Sequence, residues 1–353
     1  MMKAAIYDGT NIIKLEERPI PKIGPDEALL KVNACGVCGT DLRILQYGHN
    51  RIPKGETRIL GHEFSGEIVS VGSNVRWPRP GMKVVVAPNM GCGICQECVT
   101  GHTNLCKDYI SYGVALDGAF AEYMRILPQS IWQGNICHFD DKLSFAEAAF
   151  TEPLSCALHG YEACFPKLLD HVLIVGMGPL GLAHLQIARF MGAKTVIMSD
   201  HHNERIPLAL EFGADMAINS YDTNLKQVVS DVTHGHGVDI AIVAAPSPSA
   251  QKEAVENLAM HGRLNFFGGL PKDNCLTTID ANLLHYRELI LTGTTGQTID
   301  DFRKSLELIQ IGKVQPQPLI TNRFLLEDIV EAIDFARSKK GLKTMVFPHG
   351  MER

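Results

Sequence analysis

The chain has 353 residues, 45% hydrophobic and 20% charged, with ten cysteines and a formal net charge of -6. This length suggests about two domains, and the composition excludes disorder. The acidic balance argues against a nucleic-acid partner, since no broad cationic field is available for phosphate backbones.

The opening segment MMKAAIYDGTNIIKLEERPI lacks the continuous apolar core of a signal peptide. Short β-rich runs follow through the first 150 or so residues: AAIY, ALLKVNA, GEIVSVG, MKVVVAP and AFAEYMRI, separated by Gly and Pro. Helix signals there are few. The pattern predicts a compact, mostly antiparallel, barrel-like domain with long functional loops.

Within this region GCGICQECVTGHTNLC places Cys92, Cys95, Cys98 and Cys106 at C-x2-C-x2-C-x7-C spacing. Four thiolates match tetrahedral zinc and fill its coordination sphere, so such a site is structural. Two disulfides are the rival reading, and a cytoplasmic location, which the missing leader favours, argues against them. A nucleic-acid zinc ribbon would need basic and aromatic flanks, and these are MGC and KDY. A second, scattered set contains Cys38 in CGVCGTD, His62 and Glu63 in GHEFSG, and Glu152 in TEPL. Spacing alone cannot join these residues, and a buried Cys or a satisfied His accounts for each singly.

Beyond residue 150 the texture changes. VLIV at 172–175 leads into a glycine turn, the helical pattern LGLAHLQIARFMG and the strand TVIMS. The glycines and polar residues inside 171–193 exclude a membrane span. A helix NERIPLALEFG and the strands MAIN, VDIAIVAA and RLNFFGG continue the alternation, which indicates βαβ units and a doubly wound parallel sheet. After ELILTGTTG come two amphipathic helical segments separated by PQPLIT, then KTMVFP. This tail is too short to fold alone, so it is expected to pack on the first domain.

Gly176-Met177-Gly178-Pro179-Leu180-Gly181 is a G-x-G-x-x-G that follows a buried strand and opens a helix. Gly176 can make the tight turn, Gly178 can let a pyrophosphate approach, and Gly181 can pack helix on sheet. Asp200 ends the next strand, where a carboxylate binds ribose hydroxyls and repels a 2′-phosphate. The next three residues, His201, His202 and Asn203, contain no Arg or Lys, so NAD is expected over NADP. The expected cofactor contacts are therefore Gly176, Gly178, Pro179, Leu180, Gly181, Asp200 and Arg205.

Taken together these residues resemble the zinc-containing medium-chain dehydrogenases, a superfamily that includes alcohol, sorbitol and threonine dehydrogenases. CGVCGTDL, GHEFSG with VSVGSNV, the four-cysteine lobe, EPLSCALHG, GMGPLG and GLKTMVFP carry the resemblance in family order over essentially the whole chain. It implies an α/β protein: a GroES-like β-rich catalytic domain at 1–152 with a structural zinc lobe near 88–108, and a Rossmann NAD-binding domain at 153–292. The segment 293–353 is expected to return to the catalytic domain, with the active-site cleft between the domains. The resemblance also implies two zinc ions per chain, NAD, a small alcohol or polyol substrate, and a homodimer or homotetramer.

At matching positions it assigns the catalytic zinc to Cys38, His62 and either Glu63 or Glu152, and leaves Cys35 to packing. Zinc held by three protein groups keeps one open position, where a hydroxyl is readily deprotonated before its carbon gives a hydride to NAD. Thr40 matches the hydroxyl that takes the substrate proton. Many relatives carry a histidine three residues further on. Here Arg43 stands instead, and it cannot accept a proton, which leaves cofactor ribose and water, or His49, for the last step.

Glu152 and the GHE pair resemble the polyol branch, so a secondary alcohol of a polyol or sugar, oxidised to the ketone, is the leading expectation. Ile44, and Gly293-Thr294-Thr295-Gly296-Gln297, depart from the sorbitol dehydrogenase pattern. A phosphorylated polyol bound by Arg43 or Arg51, or L-threonine, is the alternative. A non-catalytic zinc module is disfavoured, since Cys38, His62 and the glycine turn are all present.

Overall fold

The computed structural model describes residues 1–351. The chain divides into two compact units, Met1–Ser155 with Gln297–Arg353, and Cys156–Gly296. The helix Thr151–Glu162 contains one of the division points.

The first unit is built on a seven-stranded sheet in the order Ile136–His138, Lys83–Val86, Glu63–Val71, Ala28–Gly36, Lys343–Phe347 and Ile320–Leu325, with Tyr123–Ile126 also paired to Ala28–Gly36. Ala28–Gly36 runs antiparallel to Glu63–Val71 in a register that sets Gly36 opposite Glu63 and Cys35 opposite Phe64. The C-terminal strand adds itself to this ladder, Met345 facing Gly36. A smaller sheet pairs Met2–Tyr7 with Ile13–Arg18 and Arg58–Ile59. Leu30, Val32, Phe64, Ile68 and Phe120 lie in the shared core, each contributing roughly 1.5–3 kcal/mol by burial.

The second unit is a six-stranded, wholly parallel sheet ordered Met216–Asn219, Thr195–Asp200, His171–Val175, Val238–Val243, Leu258–Phe266, Ile290–Gly293. Numbered along the chain this is the order 3-2-1-4-5-6 of a dinucleotide-binding sheet, with its switch point between the first and fourth strands. VLIV and the IAIV of the fourth strand are continuous apolar runs because both faces of a parallel sheet are covered.

Several elements differ from the sequence expectation. The first unit contains the helices Gly39–Tyr47 and Phe145–Ala149, and the first turn of Thr151–Glu162. The first is short and begins Gly-Thr, which hides its period, but Asp41 completes a capping box at Cys38. AFAEYMRI forms a ladder only at Tyr123–Ile126, since the backbone N–H groups of Ala119 and Phe120 donate instead to Gly61 and Leu60. In NERIPLALEFG the helix proper is Ile206–Glu211, because Pro207 is tolerated only in a first turn. The segment read as a connector, PQPLIT, leads into the strand Ile320–Leu325. Among the described residues no helix is long and apolar enough to cross a membrane.

His184, on the helix Pro179–Phe190, is fully buried against Phe267 and Tyr161, and burial pushes its pKa down to about 3. An unfolded histidine binds protons below about pH 6.5 while this one stays neutral, so stability is full above that pH and falls as acid is added, by about 1.4 kcal/mol per pH unit. In urea titrations between pH 7 and pH 5, His184→Leu is expected to lose less stability than the wild type. Equal losses would refute this.

Candidate active site

Cys38 is the N-cap of the helix Gly39–Tyr47, while His62 and Glu63 stand at the start of the strand Glu63–Val71. The fold brings one ligating atom from each of Cys38, His62 and Glu63 within 4.8 Å of the others. Glu152, buried in the first turn of Thr151–Glu162, is outside that set. Gly61 is required just before His62: its φ is +88°, and a Cβ there would come within 2.8 Å of the Cys35 sulfur.

A fourth side chain, Asp41, locks the arrangement. Its carboxylate is fully buried, accepts the N–H groups of Cys38 (2.9 Å) and Gly61 (3.2 Å), and lies 3.5 Å from His62 Nδ1. A carboxylate behind Nδ1 fixes the tautomer that leaves Nε2 free for a metal. Burial would lower the His62 pKa, but the charges of Asp41 and Cys38 raise it well above its ordinary range. Lys343 is buried beside Glu63 as its ion-pair partner. Such a concentration of anionic groups fits a divalent cation. Cys35 is different: burial pushes its pKa well up, so it stays a neutral thiol in the core.

Asp41 and Lys343 escaped sequence reasoning. Asp41 stood inside CGTD, and Lys343 was the lone charge heading an apolar terminal strand. Thr40 lies half-buried in the first turn of Gly39–Tyr47 and Arg43 is exposed one turn on. Arg51 stacks on Tyr109 at 4.0 Å and donates to its carbonyl, which limits its use for a phosphate. His49, whose position the sequence left open, accepts the Arg51 N–H at Nδ1, 3.2 Å away.

The second cluster holds the sulfurs of Cys92, Cys95, Cys98 and Cys106 within 4.8 Å of one another. Cys92–Cys98 and Cys95–Cys106 are 4.0 and 3.7 Å apart. A tetrahedron of thiolates around zinc has edges of about 3.8 Å, whereas a disulfide is about 2.05 Å long. The four cysteines are free. Backbone N–H groups of Ile94 and Cys95 hold the Cys92 pKa down to about 7, which favours the ligating thiolate.

In the second unit Gly176 has φ +110°, and a Cβ on Gly181 would sit 1.8 Å from the Gly176 carbonyl oxygen. A Cβ on Gly178 would meet nothing closer than the Arg205 guanidinium at 3.9 Å, so the helix N-terminus at Pro179 is open to a pyrophosphate. Leu180 lies in that first turn. Asp200 accepts the N–H of Met177, those of His201 and His202, and a contact from His202 Nδ1 at 2.8 Å. Burial opposes its ionisation, yet these donors and Arg205, 3.5 Å away, hold its pKa below the usual carboxylate range. Arg205 thus supplies a cation beside Asp200 that the residues immediately following the aspartate do not.

Residues 24–134 match the family model of the alcohol dehydrogenase GroES-like domain, and residues 179–310 that of zinc-binding dehydrogenases. Sorbitol dehydrogenase of Bacillus subtilis is 33% identical over 99% of this chain and 98% of its own. L-threonine 3-dehydrogenase of Bacillus licheniformis is 32% identical over 94% of each chain. A zinc-binding dehydrogenase of Sinorhizobium meliloti 1021, solved bound to NADP, superposes with a TM-score of 0.91 at 31% identity, covering 99% of both chains.

Metal analysis of the purified protein is expected to find two zinc ions per chain. Cys38→Ser should lose one with little change in melting temperature, and Cys98→Ser should lose the other and melt lower. Loss of both ions from either variant would contradict two independent sites. Asp200→Ser should bind NADH about 10- to 100-fold more weakly, by loss of a hydrogen bond to a charged group, and narrow the preference against NADPH; fluorescence titration reads both.

Proposed function

The chain belongs to the zinc-binding alcohol dehydrogenases, which work with zinc and NAD(P), and on that premise we propose that it oxidises a secondary alcohol of a polyol or sugar-derived substrate to the ketone. The convergence of Cys38, His62 and Glu63 on one point carries this reading. These three would hold the catalytic zinc, with Glu152 as the alternative carboxylate, and Cys92, Cys95, Cys98 and Cys106 the structural one. Zinc held there would supply a Lewis acid that lowers the pKa of a substrate hydroxyl, and a bound nicotinamide would supply the hydride acceptor.

The chain's own residues do the rest. Asp41 keeps His62 aimed, and Gly61 lets the His62-Glu63 pair close on Cys38. Thr40, on the same helix turn as Cys38, takes the substrate proton. Arg43 cannot pass it on, so the last step would fall to cofactor ribose and water, or to His49. The Gly176–Gly181 turn with Pro179 and Leu180 seats the pyrophosphate, while Asp200 and Arg205 hold the adenosine ribose. The Asp200 carboxylate favours NAD, because a 2′-phosphate would meet its charge.

The polyol reading is supported by the sorbitol dehydrogenase relative and by Glu152, which stands where simple alcohol dehydrogenases place a cysteine. L-threonine is the second reading, favoured by the threonine dehydrogenase relative at similar identity. A phosphorylated polyol rests on Arg43, which is exposed, since Arg51 is engaged by Tyr109. For assembly, the edge strand Ile290–Gly293 of the parallel sheet exposes Ile290, and the nearby helix Ala281–Arg287 exposes Tyr286, an apolar edge suited to a second copy of the chain.

With NAD, a panel of polyols, polyol phosphates and L-threonine should show highest kcat/KM for an unphosphorylated polyol. A higher value for threonine would select the second reading, and no reduction with any of them would defeat both substrate readings; only that result together with no NAD binding by titration would defeat the enzyme reading. Thr40→Val should lower kcat about 10²- to 10⁴-fold with zinc content unchanged, and Thr40→Ser should restore most of it. Ile290→Lys should shift sedimentation toward the monomer.

A further inference from the structure

The terminal strand Lys343–Phe347 is buried along its whole length and, after its first residue, carries no charge: Thr344, Met345, Val346 and Phe347. At its head Lys343 is nonetheless buried, its side chain 6% exposed. An isolated ammonium in such a place costs several kcal/mol of desolvation, so its partners must be specific. Nζ donates to the Val37 carbonyl at 3.1 Å and pairs with the Glu63 carboxylate. The Val37 carbonyl and the Glu63 carboxylate are thus the groups that hold the buried Nζ in place.

The backbone is shaped around this pair. A Cβ on Gly36, the residue opposite Glu63 in the ladder, would lie 2.2 Å from Glu63 Oε2 and 2.8 Å from Lys343 Cε. Only glycine leaves room for both. Three strands thus meet where one carboxylate is offered to two cations: the Lys343 ammonium from within the sheet, and whatever Cys38, His62 and Glu63 enclose. A carboxylate shared in this way donates less to the metal than a free one.

We propose that Lys343 is a positioning residue for the catalytic metal, its buried ammonium clamping Glu63 so that this carboxylate is a weak, exchangeable ligand. This rests on the reading that Cys38, His62 and Glu63 hold zinc.

The test is zinc transfer from the full-length protein to a chromophoric chelator, followed with kcat and the visible spectrum of the cobalt(II)-substituted enzyme. Lys343→Gln, which keeps a donor for Val37 without the charge, should release its catalytic-site zinc about tenfold more slowly, because Glu63 is freed from a charged hydrogen bond that competes with the metal, and should change the cobalt spectrum and lower kcat. Lys343→Arg should restore all three. In a Glu63→Gln background, Lys343→Gln should have no further effect on release. Unchanged or faster release from Lys343→Gln, or the same effect without Glu63, would overturn the proposal. Should that variant fail to fold, Lys343→Met and Lys343→Arg provide the same comparison. A zinc-release phase that survives in Cys38→Ser would instead overturn the underlying metal-site assignment.

Discussion

The register of one antiparallel ladder governs the first unit. With Gly36 opposite Glu63, the strand Ala28–Gly36 ends where it must turn into the helix capped by Cys38, and the partner strand begins with the two residues after Gly61. Slipping the pairing by a single residue would turn every side chain to the opposite face. Glu63 would then leave Lys343, and His62 would leave Asp41. A tripod drawn from separated parts of the sequence is held by backbone hydrogen bonds, and Asp41 ties its parts together through Cys38 and Gly61.

The second unit solves its problem with close approach instead of convergence. Where the sheet order reverses, a turn of three glycines opens a helix N-terminus, and each glycine answers a different steric demand: a positive φ, an open face, and contact with a carbonyl. Asp200 is held in place by the backbone and side-chain donors that surround it. Those donors and Arg205 keep it ionised although largely buried. The charge presented at the end of this strand is therefore a balance among Asp200, His202 and Arg205, not one carboxylate alone.

Much of this was legible in the sequence, for physical reasons. The parallel sheet announced itself because strands covered on both faces must be apolar throughout, as in VLIV and IAIV, and the glycine turn because only glycine fits there. The four cysteines were readable from close spacing in one loop. The helix Gly39–Tyr47 was not, since a nine-residue element opening with Gly and Thr carries little periodic signal and is held by its cap. Lys343 was invisible for a deeper reason: its ion pair with Glu63 exists only once the terminal strand has paired with Ala28–Gly36, Met345 beside Gly36 across 309 residues of sequence. The free Arg51 that the sequence offered for a phosphate is, in space, committed to Tyr109.

The cysteine lobe contributes almost nothing to an apolar core. Its helix Gln96–Val99 has four residues and none buried, while Ile94, Val99 and Leu105 face outward. With so little apolar interior, the shape of this loop depends on what its four converging sulfurs hold in common. The sheets beside it carry their own cores, so the lobe answers to a different force from the rest of the chain.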